Sequence, residues 1–394
     1  MPKGVPALVK PGLLRWARQT AGFDVAMAAK KAKVDALKLE SWEQGTSRPS
    51  IPQLRKIAKV YQRPIAVFYL PEPPQGFTVP KDYRRTASNE AHGPSPELML
   101  EMREAQARRE LFEELFLQTE GDAPSISLTA DVEESPESVG DRLRSFLHVS
   151  LQDQSQWKEP YDGLHGWRSA FERAGILVFQ MSDVPSNEAR GFSVFDQSFP
   201  LAVVNAKDSP SGRTFTLLHE LTHLALRQGG ICDLADAPTD RQVQDQVEVF
   251  CNAVAGATLM PREDFLKDET VLSHDPGWEW TNADIQKIAR RFTCSNEAAV
   301  RRLADLGRVS VQFYQVKRRE YQAKNGVTTA KKSDGFLPPY QKALSNWGPM
   351  FTRIALDNYY QGNITGSDLA DLLGIRLKHL SRLEENLKKL QKRV

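Results

Sequence analysis

Cysteine is scarce in this chain: three in 394 residues, at positions 232, 251 and 294. An odd, widely spaced set argues against a disulfide framework and for a reducing interior. Cys251 sits in an apolar stretch and reads as a small core residue. Long apolar runs are missing too; none approaches the roughly 18 residues that a membrane helix needs. The opening residues, MPKGVPALVKPG, lack the apolar core of a signal peptide. The expectation is a cytoplasmic chain with no membrane partner. A large charge imbalance is also missing, since the formal net charge is +2. The exception is local: residues 1–63 carry thirteen Lys/Arg against four Asp/Glu. Such asymmetry fits a polyanionic partner, although a charge run also makes a simple solvated face. There is no fixed-period repeat and no low-complexity tract.

What is there divides into four regions. Residues 1–70 read as a compact helical unit. Residues 71–120 begin with the proline-rich Leu70-Pro71-Glu72-Pro73-Pro74, which cannot continue a helix, and go on to a long charged helix capped at Ser95. Residues 121–310 contain short β-rich runs at 175–179, 191–195 and 201–204, then helical stretches at about 213–228, 240–259, 283–292 and 297–306. Residues 311–394 read as a further helical domain without a motif that assigns it a role. The fold class expected is α+β and mostly helical: a five-helix-type N-terminal domain, a small domain with a short sheet, and a C-terminal helical region.

The chemistry concentrates in His219-Glu220-Leu221-Thr222-His223. Two histidines four residues apart project from one face of a helix about a turn apart, so both can hold one ion. Glu220 lies about 100° around the helix, poorly placed to ligate but well placed to take a proton from water at the metal. A catalytic zinc takes three protein ligands and leaves one position open. Glu248 is the third candidate; it lies 25 residues beyond His223, beside a core stripe of Val243, Val247, Phe250 and Val254. Two histidines and a downstream glutamate define a gluzincin-type Zn2+ site. Asn252, one turn further on, can reach the second nitrogen of a ligating histidine, His219 being the candidate. For polarising the scissile carbonyl the candidates are the zinc itself, Arg213 and an unplaced Tyr or His.

These residues carry a resemblance. Arg213 through His223, with Glu248 through Met260-Pro261, looks like the ImmA/IrrE family of bacterial metallo-endopeptidases. Cys251 and Val254 stand where that family tends to have Ala and Phe; both are packing positions. The resemblance covers roughly residues 1–310. It implies a cytoplasmic, site-specific peptidase that cleaves a repressor or antitoxin-like protein encoded nearby. The alternative is a DNA-binding antitoxin or regulator that holds a toxin through a zincin-like domain without turnover; a third is a sensor that binds metal without cutting.

The N-terminal region has helix-turn-helix spacing: Val25–Ala29, a turn at Lys33-Val34, then Asp35–Glu43, closed by Gly45 and Pro49. Trp42-Glu43-Gln44-Gly45 followed by Gln53-Leu54 resembles the XRE-type domains found fused to such peptidases. Lys30, Lys31, Lys33, Lys38 and Arg48 are the DNA-contact candidates, although phosphate contacts position a protein without specifying a sequence. Double-stranded DNA and a docked protein both remain open as its partner. Residues 285–306 and 364–385 repeat the helix, turn, helix pattern.

Overall fold

The computed structural model describes residues 5–74, 83–85, 95–226, 241–274, 280–329 and 337–391. The chain divides into two compact units, Met1–Pro80 with Arg85–Ala107, and Lys81–Arg84 with Arg108–Val394.

In the first unit, α1 (Pro11–Gln19) starts on a proline, whose missing N–H costs nothing in a first turn. Asp24 caps α2 (Val25–Ala32) by accepting from the Met27 N–H at 2.6 Å, and Lys33 ends it in the left-handed region at φ 55°. Asp35 caps α3 (Ala36–Gln44) in the same way, and Gly45 ends it at φ 80°. A Ser50/Gln53 capping box opens α4 (Ile51–Val60), and a 3-10 turn at Ile65–Tyr69 follows. The expected five helical elements are thus four α-helices and one 3-10 turn. Their apolar faces meet in a core that includes Leu14, Leu39, Trp42, Leu54, Ile57, Tyr61 and Phe68. Glu43 is buried but paired, taking two bonds from the Arg18 guanidinium at 2.8 and 2.9 Å. The long α5 (Pro96–Thr119) contributes residues to both units.

The second unit is built on a small mixed sheet. Strand β2 (Leu177–Met181) pairs parallel with β4 (Leu201–Asn205), and β3 (Ala189–Val194) pairs antiparallel with β4; the short β1 (Tyr83–Arg85) completes the order β1-β3-β4-β2. Every residue of β2 and β4 is buried, which accounts for their continuous apolar sequences. Val178, Ala202 and Val204 join a core with Trp167 and Phe171 of α8 (Pro160–Arg173) and Leu217, Leu218 and Leu221 of α9 (Pro210–Leu226). Phe179 points to the other layer, edge-on to Trp347 and Phe351 of α16 (Pro339–Gln361) at 5.7 and 5.6 Å.

Within the stretch 311–394, α16 packs along β2 in the same unit as the sheet. Hydrogen bonds made by the buried side chains of Arg168, Glu172 and Gln180 fix it there. Arg168 donates to the Ser345 and Val178 carbonyls at 2.7 and 2.5 Å, Gln180 donates to Ser345 at 2.8 Å, and Glu172 accepts from the Met350 N–H at 2.9 Å. Gly348 interrupts α16 at φ 80°; a Cβ there would meet the Glu172 carboxylate at 2.2 Å, so that position admits no side chain. No helix among the described residues is long and apolar enough to cross a membrane.

Candidate metal centre

Two helices and one strand build the site. Ser209 caps the start of α9, its hydroxyl accepting from the Gly212 N–H at 3.1 Å, and nearly the whole of α9 is buried. Four-residue spacing then brings the His219 and His223 imidazoles together, their Nε2 atoms 3.0 Å apart. The second helix, α10 (Arg241–Leu259), brings Glu248 opposite; one carboxylate oxygen lies 3.3 Å from His219 Nε2 and the other 3.3 Å from His223 Nε2.

The position of α10 is itself well supported. Gly140 of α6 (Pro136–Leu147) lets the two helices touch, since a Cβ there would meet Ala257 Cβ and the Thr258 nitrogen at 2.9 Å. At the C-terminal end of α10, carbonyls that have no helical partner receive side-chain donors. Arg144 reaches Thr258 at 2.8 Å, Gln154 reaches Leu259 at 3.1 Å, and Arg302 reaches Met260 at 2.9 Å. The two guanidinium charges also suit the negative end of the helix dipole.

The donor set fits a divalent cation. One ligand atom from each of His219, His223 and Glu248 can be chosen so that all lie within 4.8 Å of one another. The two Nε2 atoms, 3.0 Å apart, lie close to the ~3.3–3.4 Å edge of a tetrahedron about an ion bonded at ~2.0–2.1 Å, and each has one oxygen of Glu248 3.3 Å away. The electrostatics agree. Burial works to raise the Glu248 pKa, but the two facing imidazoles outweigh it and hold the carboxyl far below the usual range. Burial works to lower the His223 pKa, but Cys251, Glu248 and Glu220 outweigh it and hold it well above its ordinary value. A pocket that stabilises extra positive charge on imidazole is equally suited to a dication once those protons leave.

Glu220 lies beside this triangle rather than in it, 1% exposed. Its Oε2 accepts from the Ser193 hydroxyl of β3 at 2.9 Å. Strand β3 runs close against α9 at Gly191, where a Cβ would meet Thr216 Cγ2 at 2.5 Å and the Val203 carbonyl oxygen at 2.6 Å. The sheet therefore reaches the helix without obstruction, and Ser193 is carried to the carboxylate.

Residues 171–304 match the family model of the IrrE N-terminal-like domain, and residues 12–67 match a helix-turn-helix domain. Residues 171–304 are thus similar to an IrrE-type domain. The chain is 29% identical over 133 residues to the radiation response metalloprotease IrrE of Deinococcus deserti, a match over 33% of this chain. The chain spans 44% of the length of that relative. A solved Mycobacterium tuberculosis transcriptional regulator aligns with 50% of this chain and 51% of its own at 17% identity and a TM-score of 0.31.

Within the IrrE-like domain, the other residues singled out from sequence lie as follows. Arg213 is six residues before His219, about 240° around the helix. It is buried, donating to Gln180 Oε1 of β2 at 2.6 Å with its guanidinium 5.5 Å from the Tyr161 ring centroid. It is thus engaged with β2, on the far side of β4 from Ser193. Asn252 donates its amide to the Glu248 backbone carbonyl at 2.7 Å, one turn back on its own helix. Cys232 and the residues joining α9 to α10 lie outside the described residues. Two participants escape sequence reasoning. Ser193 lies 27 residues before Glu220, so only strand pairing brings it near. Cys251, read as core, is buried, and it is one of the groups that hold the His223 pKa up. Its place three residues after Glu248 on one helix face was the available signal.

In the first unit Lys30, Lys31, Lys33, Lys38 and Arg48 are all exposed. Lys31 is partly committed, pairing with Glu97 at 3.1 Å and lying 5.0 Å from the Phe23 ring centroid.

Proposed function

We propose that the chain is a zinc-dependent, site-specific endopeptidase of the gluzincin type, acting on a repressor or antitoxin-like protein in bacterial transcriptional regulation. The observation that carries this is the convergence of His219, His223 and Glu248, with Glu220 held beside them by Ser193. In this reading His219, His223 and Glu248 hold the metal. A bound Zn2+ supplies Lewis acidity, activating a water and polarising the scissile carbonyl. Glu220 takes the proton from the attacking water and passes it to the departing amine. Ser193 holds one carboxylate oxygen, so the other faces the reacting water in a fixed direction. Asn252, through the Glu248 carbonyl, steadies the turn of α10 that presents the ligand.

The N-terminal domain supports a second role, binding double-stranded DNA close to the repressor's operator. Its exposed Lys30, Lys33, Lys38 and Arg48 are available to phosphates. Restriction of such a protein to the cytoplasm, and a part for it in a stress response or a toxin–antitoxin module, belong to the same proposal.

The test is incubation of the zinc-loaded chain with purified products of the neighbouring genes, followed by mass spectrometry of fragments. The Glu220→Gln variant should retain one zinc per chain by atomic emission and lose cleavage. The His223→Ala variant should lose both. Cleavage that persists in Glu220→Gln defeats the mechanism. Metal binding with no cleavage of any neighbour favours the alternative of a regulator that holds its partner.

A further inference from the structure

The last three helices carry a second helix-turn-helix that the peptidase reading does not use. Helix α17 (Gly366–Leu373) opens on a capping box, Thr365 with Asp368, and ends at Gly374 in the left-handed region at φ 64°. The chain turns through buried Ile375 and a 3-10 turn at Leu377–His379 into α18 (Leu380–Gln391). Leu369, Leu373, Ile375, Leu383 and Leu387 are buried, and both helices pack on the last turns of α16. The Tyr360 hydroxyl donates to Glu384, tying α16 to α18. This is the arrangement of two helices about a short glycine turn, braced by a third, that presents its second helix to a groove.

What the turn and the second helix present is the deciding observation. Arg376, Lys378, Arg382, Lys388 and Lys389 are exposed, as is Ser381, with Glu385 as the one fully exposed acid among residues 376–391. On α18 the exposed positions 381, 382, 385, 388 and 389 recur at helical spacing and form one stripe, opposite buried Leu383 and Leu387. The apolar content of this face is Leu377, 45% exposed. A protein-docking face centres on aromatic or aliphatic anchors, whereas a helix bound in a DNA groove is lined by cations and small polar groups. By comparison, α3 of the N-terminal motif exposes Lys38 against Glu40.

We propose that α17 and α18 form a second DNA-binding helix-turn-helix, with Arg376, Lys378 and Arg382 on the phosphates and base edges of double-stranded DNA. The chain would then hold duplex DNA through its C-terminal helices independently of its N-terminal domain. This assignment does not depend on peptidase activity.

The experiment uses the full chain and a fluorescein-labelled mixed-sequence duplex of about 30 base pairs, with affinity read by anisotropy across ~50–200 mM salt. The Arg376→Gln, Lys378→Gln, Arg382→Gln triple variant is compared with a charge-matched control, Lys158→Gln, Lys207→Gln, Lys267→Gln, whose three lysines are exposed elsewhere. Each lost phosphate contact removes ~0.9 from the slope of log affinity against log salt. The triple variant should therefore lose about 2 to 3 from the slope and bind at least roughly ten-fold more weakly at low salt, while the control keeps the parent slope. Arg382→Glu alone should move in the same direction, and circular dichroism reports whether each variant stays folded. The proposal is overturned if the parent does not bind the duplex, if the control loses as much as the triple variant, or if the triple variant keeps the parent slope. In the last case the face belongs to a protein partner.

Discussion

A single hydroxyl separates a carboxylate that is merely near the His219, His223 and Glu248 cluster from one that is aimed. Ser193 Oγ lies 2.9 Å from Glu220 Oε2 in a buried site, and a hydrogen bond to a charged group is worth about 1.5–3 kcal/mol. On the proposed peptidase reading, Ser193→Ala should leave zinc content and KM unchanged and lower kcat by about ten-fold or more, and Ser193→Thr should restore part of the loss. Steady-state kinetics on the cleaved partner, paired with metal analysis, makes the check; an unchanged kcat would show that α9 alone aims Glu220. The same scale shows how unevenly the site was legible. His219, Glu220 and His223 could be read because one helix holds them at fixed offsets. Glu248 could be read because its own helix has a clear apolar stripe. Ser193 could not be, since its approach to Glu220 depends on the register of β3 on β4 and on the absence of a side chain at Gly191.

At the scale of elements, most of the chain's helices announce themselves by caps and stops. Asp24, Asp35, Thr281 and Ser295 accept first-turn N–H groups just where the helical periodicity begins. Each is a local signal, so the corresponding helices were legible. The destination of α16 was not. Its sequence is amphipathic, but its partner is β2, more than 150 residues earlier, and the polar bonds to Arg168, Glu172 and Gln180 have no sequence signature. The end of α10 is another case of long-range support. Arg302 donates to the Met260 carbonyl and makes a bidentate pair with Glu137 at 2.7 and 2.6 Å. Arg302→Met keeps much of the buried volume and removes those donors. Leaving a buried carbonyl unsatisfied should cost about 2 kcal/mol, lowering the Tm by a few degrees. Differential scanning calorimetry of the metal-free protein should show the loss; an unchanged Tm would mean that Arg144 and Gln154 suffice to close the helix.

For the molecule as a whole, part of the response to acid follows from devices spread along the second unit. Asp153, Asp284 and Asp368 each occupy the third position of a capping box, where hydrogen bonds from Ser150, Thr281 and Thr365 hold the carboxyl below the usual aspartate range. A carboxylate whose pKa is lower folded than unfolded binds fewer protons in the native state. Its stabilising contribution is complete above the unfolded value of ~3.9 and disappears as the pH falls through the folded value. The Tm should therefore be insensitive to these three groups at neutral pH and fall more steeply below about pH 4. Replacing all three with Asn removes the titrating groups while keeping an oxygen that can accept. The triple variant should show a shallower decline in Tm between about pH 5 and pH 3 than the parent, at the cost of some stability at neutral pH. A parent and variant that lose Tm in parallel over that range would show that acid sensitivity arises elsewhere, with Glu134, whose carboxyl the Arg142 guanidinium also holds low, the next to test. The distinction matters for the peptidase reading, because loss of activity in acid should then track metal release from His219 and His223 before it tracks unfolding. Following zinc release and circular dichroism in one acid titration separates the two: protonation of the ligands releases metal from a folded chain, whereas loss of the caps releases it together with helix content.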